Sequence, residues 1–95
     1  IIKIEPEAFK DIQEAVYWYD QQQNGLGRKF YSEIDSSLNS LQSQPFFQIR
    51  YENVRCIPLQ KFPFMIHYTI DERKKEILIR AVLNTSRKFD KLSGK

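Results

Sequence analysis

His67 and Cys56 are the only histidine and the only cysteine in the chain. Any imidazole or thiol chemistry must pass through them. A histidine acting as general base needs a partner that sets its tautomer and a substrate proton within reach. The spacing offers no Ser-His-Asp or Cys-His set, and Cys56 sits in a strand-like run without activating neighbours. The expected roles are structural: His67 on a half-open strand face, Cys56 as a small buried apolar group. Without CxxC or Cys/His ligand spacing, no metal site, disulfide framework or cofactor is expected.

The remaining chemistry is cationic. Arg55, Arg80 and Arg87, with Lys61 and Lys88, can converge on phosphate oxygens, which a guanidinium fork binds bidentately. Arg80 falls between Ile79 and Ala81 in an apolar run, where an arginine must be paired or partly open. Arg73-Lys74-Lys75 fits a solvated turn. Charge is unevenly spread. Residues 1–44 hold four Lys/Arg against seven Asp/Glu, a net −3, whereas residues 45–95 hold eleven against five, a net +6. Such asymmetry steers an acidic partner, either nucleic acid or an acidic protein segment.

Elements must position these groups. Ninety-five residues with 41% apolar and 14% aromatic side chains make one domain, able to bury a core without staples. Residues 1–4 are β-branched and suit a strand. Pro6 suits a first helical turn, and Phe9, Ile12, Val16 and Tyr19 recur at helical spacing, so a helix is expected over residues 6–22. Asn24-Gly25-Leu26-Gly27 breaks it. Leu26, Phe30, Ile34, Leu38 and Leu41 mark a second helix that ends before Pro45, and the short connection implies an antiparallel hairpin. Residues 45–53 are expected to be a loop. Three strands follow, over residues 54–59, 62–70 and 77–84, with Pro58 favouring an edge or bulge. Residues 85–95 form a basic tail, expected to be flexible. The order is β-α-α-β-β-β, an α+β domain with a helical hairpin on a small, mainly antiparallel sheet.

Period-two alternation assigns faces. Phe64, Ile66, Tyr68, Ile77, Ile79, Ala81 and Leu83 should pack on the helices, in one core with Phe9, Val16, Phe30 and Ile34. The other face should carry Met65, His67, Thr69, Leu78, Arg80 and Val82, joined by Arg55 and Ile57 if Val54 and Cys56 turn inward. That half-open surface suits a partner, with Ile57, Met65, Leu78 and Val82 as its apolar centre and Arg80 on its rim. Tyr17 and Trp18 lie off the apolar stripe of the first helix. No apolar stretch reaches the ~18 residues of a membrane helix. The chain starts without Met, and no signal peptide precedes Ile1, so no membrane partner and a cytoplasmic location are expected.

Five segments in order carry a resemblance across nearly the whole chain: EAVYWYD, GLGRKF, P-x-x-x-x-x-Y-x-x-V-R, KFPF-x-I-x-Y and AVLNTSRK. On these the chain resembles the RelE/ParE superfamily, the growth-inhibiting toxins of bacterial type II toxin–antitoxin (plasmid stabilisation) systems. The resemblance implies a βααβββ fold and a cognate antitoxin that blocks the toxic action. Two mechanisms share that fold. RelE-like members cut mRNA in the ribosome without a metal, using clustered Lys/Arg and often a Tyr or His as acid or base. ParE-like members lack that set and inhibit DNA gyrase through protein contacts. Carried over to this chain, Arg55 lies near the basic position of the second strand, and Arg87 is retained. Met65 stands where many cleaving members keep an arginine, and Asn84 replaces a common histidine. No tyrosine follows Leu83, and Phe89 cannot serve as acid or base. The resemblance therefore favours a ParE-like, non-cleaving toxin. The alternatives are a metal-independent mRNA endoribonuclease using Arg55, Arg80, Arg87 and His67, and a non-toxic nucleic-acid-binding module.

Overall fold

Pro6 opens the first helix as its composition demands: Glu5 is still extended, and the ring's missing N–H falls where no helical acceptor exists. The computed structural model describes residues 1–85. Their order is β1 (Ile2–Ile4), α1 (Pro6–Gln22), α2 (Leu26–Ser43), β2 (Ile49–Tyr51), β3 (Val54–Pro58), β4 (Phe64–Asp71) and β5 (Glu76–Asn84). Both expected helices and the hairpin between them are present. No helix among the described residues is long and apolar enough to cross a membrane.

Two glycines make the hairpin tight. Gly25 enters α2 with φ +88°, a left-handed conformation that disfavours a side chain. A Cβ on Gly27 would stand 2.5 Å from the Val16 carbonyl oxygen of α1. Its bare backbone N–H instead donates to Asp20 Oδ1 at 2.8 Å. Farther along α2, the Glu33 carboxylate accepts the backbone N–H groups of Gln60 and Lys61 and so ties the β3–β4 connection to the helix.

Among the described residues, five strands form one sheet in the order β1-β5-β4-β3-β2, parallel between β1 and β5 and antiparallel elsewhere. The α+β class and element order stand as expected, with one strand added. β2 occupies the stretch expected to be loop. Its Tyr51 pairs with Val54 across Glu52-Asn53, and Glu52 adopts φ +49°. This is a two-residue hairpin turn. β3 is therefore an inner strand at its start. Pro58 lies at its end, beyond the Val54 and Arg55 positions that β2 pairs.

The core lies between the hairpin and one sheet face. Ala8, Ile12, Ala15 and Tyr19 form the buried stripe of α1, opposed by Phe30, Ile34 and Leu41 of α2. Tyr19, Phe30, Phe62 and Phe64 make an aromatic cluster with ring centroids 4.9 to 6.1 Å apart. Phe9 is a correction: it is 51% exposed, because the stripe runs through Ala8 one position away. Val16 and Phe64 are half-buried against the core, as their expected placement requires.

A β-bulge corrects the faces of β5. His67 pairs with Ala81 and Tyr68 with Ile79, so Arg80 and Ala81 together oppose His67. The extra residue inverts the alternation beyond it. Val82 therefore pairs with Ile66 on the helix side and is 2% exposed, while Ala81 and Leu83 turn outward. Asp11 of α1 accepts the Val82 backbone N–H at 3.0 Å beside the bulge. Ile57 is corrected in the same sense. It pairs with Ile66, belongs to the core and is 7% exposed, whereas Cys56 takes the outer face opposite His67.

Candidate functional site

The sheet face turned away from the helices is built by cross-strand rows. One row is Cys56, His67 and Ala81 with the bulged Arg80 beside it; the next is Pro58, Met65 and Leu83. Tyr51 reaches over this face from β2. Its hydroxyl lies 3.1 Å from His67 Nδ1, and Cys56 Sγ lies 3.3 Å from the same nitrogen. Between β2, β4 and the end of β5 these groups bound a cavity of about 400 Å³, which Arg50, Asn84 and Thr85 also line.

Burial sets the protonation of this cluster. His67 is 3% exposed, and desolvation followed by the Arg50 charge pushes its pKa below the usual histidine value. Burial also pushes the Cys56 thiol up, against a smaller opposing effect of Arg50. The Tyr51 phenol rises through burial and then through Cys56 and Glu52, with Arg80 acting the other way. At neutral pH all three groups are uncharged. His67 Nδ1 lies within hydrogen-bond distance of both the Tyr51 hydroxyl and the Cys56 thiol, and the tautomer of the neutral ring decides which group donates. With its thiol pKa raised, Cys56 holds no thiolate nucleophile at neutral pH.

A pH dependence follows. The unfolded chain takes up the imidazole proton at about 6.5, whereas the folded chain resists it until a lower pH. Below about 6.5 the unfolded state thus binds more protons, and stability falls as pH falls. Thermal melts of wild type and His67→Gln between neutral and mildly acid pH check this. The wild-type melting temperature should drop more steeply than that of the variant. Parallel drops would show that His67 titrates alike in both states.

Of the basic residues singled out in the sequence, Arg55 and Arg80 do not come together. Arg55 pairs with Tyr68 on the helix-facing side. It donates to the Phe47 carbonyl at 2.6 Å, with its guanidinium 5.2 Å from the Phe46 ring centroid. It holds the α2–β2 connection, as does Tyr68, whose hydroxyl donates to the Pro45 carbonyl at 2.7 Å. Arg80 projects from the bulge and pairs with Glu5 at 3.6 Å. Arg87 and the basic tail from residue 86 lie outside the described residues. His67 alone of that set lines the cavity. Of the expected partner surface, Met65 lines the cavity, Leu78 is half-buried on the same face, and Ile57 and Val82 are in the core.

Sequence reasoning missed Arg50 and Tyr51. Their signal was Glu52-Asn53 between Ile49-Arg50-Tyr51 and Val54-Arg55, two β-prone runs separated by two turn residues. Among the described residues no group of three or more His, Cys, Asp or Glu side chains is arranged to hold a metal ion.

Comparison with known proteins agrees with this architecture. Residues 2–89 match the family described as ParE toxin of type II toxin-antitoxin system, parDE. Among solved structures, the chain is similar to one described as the chromosomal ParDE TA system from P. aeruginosa. The two share 19% identity over 87% of this chain and 92% of that one, with a TM-score of 0.76. At that identity the likeness is one of fold. No curated protein matches the chain significantly.

Proposed function

We propose that this chain, which belongs to the ParE toxin family of type II toxin–antitoxin systems, inhibits DNA gyrase through protein contacts, does not cleave mRNA, and is neutralised in the cytoplasm by a cognate antitoxin. Residues 1–95 act as a single toxin domain. One observation carries the non-cleaving reading. Cleavage of a phosphodiester without a metal needs cations preorganised around the developing phosphorane. Here Arg55 is spent on the Phe47 carbonyl across the sheet from His67, and Arg80 faces Glu5. Fold alone does not choose between the two mechanisms, so this disposition of charges is the argument.

The antitoxin docks on the outer sheet face, where Met65 and Leu78 are half-buried and Arg80 stands on the rim. A basic rim favours an acidic segment and speeds its arrival.

Ribosome-dependent mRNA cleavage is the second reading. It draws on Arg50, Tyr51 and His67 sharing one cavity. The two are separated by assaying purified chain in parallel for gyrase supercoiling and for cleavage of translated mRNA. Loss of supercoiling without cuts is expected. Codon-positioned cuts with intact supercoiling would reverse the assignment.

A further inference from the structure

The cavity on the outer face has walls of two kinds. Met65, Leu83 and Cys56 give it an apolar floor, while Arg50, Tyr51, His67, Asn84 and Thr85 give it polar groups; among the described residues no Asp or Glu lines it. Arg50 carries the one charge among these polar groups. Arg50 has guanidinium donors and no acceptor. His67 is neutral and anchored at Nδ1 by its contacts with Tyr51 and Cys56. At about 400 Å³ the space is within the ~300–1,000 Å³ over which pockets enclose ligand groups. An apolar floor beside a guanidinium, with no acid among the described lining residues, complements an acidic side chain carried on an apolar stem.

We propose that this cavity seats an acidic anchor side chain of the antitoxin, its stem packed on Met65 and Leu83 and its carboxylate held by Arg50 beside the His67 ring. The assignment rests on the antitoxin reading above and adds the place and chemistry of the central contact. The charge balance supports it, since residues 45–95 carry a net +6 while the helical half is acidic. Nucleic acid fits less well. Its backbone is held by a track of several cations, and among the described residues the cavity wall supplies one. A single buried anchor with a charge-assisted partner is also how small interfaces concentrate their affinity.

The test uses the whole chain and the antitoxin encoded beside it, titrated by calorimetry at low and high salt. Arg50 is exposed, so Arg50→Glu and Arg50→Gln leave the core untouched. Arg73→Glu makes the same charge change as Arg50→Glu in the β4–β5 turn, at the opposite end of β4 from Met65. The expected result is a Kd raised roughly 30-fold or more by Arg50→Glu and about 10-fold by Arg50→Gln. Arg73→Glu should change it by about threefold or less. His67 ring resonances should shift when the antitoxin binds wild type. Equal losses from Arg50→Glu and Arg73→Glu, or unmoved His67 resonances, would overturn the anchor and leave the pairing intact. Absence of binding by wild type would remove the antitoxin reading and the anchor with it. Arg50-dependent binding of an RNA oligonucleotide, with antitoxin affinity unchanged, would reassign the cavity to nucleic acid.

Discussion

Phe30→Ala should cost about 3–5 kcal/mol of folding stability, the range for deleting a fully buried aromatic ring. A domain of this length has about 5–15 kcal/mol in all, so much of the chain would unfold near its growth temperature. Position sets the size of the effect. Phe30 is 0% exposed and touches the rings of Tyr19, Phe62 and Phe64. Those partners come from α1, from the β3–β4 connection and from the start of β4, so both layers lose a common contact. Collapse is restricted because Gly27, one turn earlier, already brings α2 against Val16, and Glu33, one turn later, is fixed to the Gln60 and Lys61 amides. Phe64→Ala should cost less, since that ring is only half-buried. Phe9→Ala should change stability by about 0.5 kcal/mol or less, as for an exposed position. Urea melts of the three variants check the ranking. A Phe30→Ala curve overlying that of Phe9→Ala would remove Phe30 from the core.

Phe9 and Phe30 also mark what the sequence could disclose. Both fit a helical apolar period, and the period correctly placed both helices. It did not separate the inward stripe from the residue beside it, because alanines at 8 and 15 carry little hydrophobic signal yet allow α1 to lie close to the sheet. β2 was marked only by the Glu52-Asn53 turn, for a different reason. All three of its residues are exposed, so no alternation marks it. Arg50 and Tyr51 were lost with it, and the cavity could not be anticipated. The contact of Cys56 with His67 needed strand register, which neither strand specifies alone. The family resemblance named the toxin class but not the bulge, since one extra residue in β5 changes no composition.

That bulge separates two substitutions that look equivalent in sequence. Leu78 and Val82 lie four residues apart in an alternating strand, and an unbroken period would put both outward. Because Arg80 and Ala81 jointly oppose His67, Leu78 stays on the outer face with Thr69 while Val82 turns inward onto Ile66. Val82→Asp would bury a carboxylate at a site 2% exposed, with no cation among its core neighbours. That costs several kcal/mol and yields little folded protein. Leu78→Asp places the same group on a half-buried surface, where the fold tolerates it. It removes an apolar contact from the proposed antitoxin dock and sets a negative charge against an acidic segment. The expected outcome is a folded chain, still inhibiting gyrase, whose neutralisation is weakened roughly 100-fold. Circular dichroism, the supercoiling assay and antitoxin titration read these effects separately. Leu78→Asp neutralised as tightly as wild type would move the dock off this face, and the exposed Tyr17 and Trp18 of α1 would become the surface to test. Val82→Asp folding normally would instead contradict the bulge, since only the inverted alternation puts that side chain in the core.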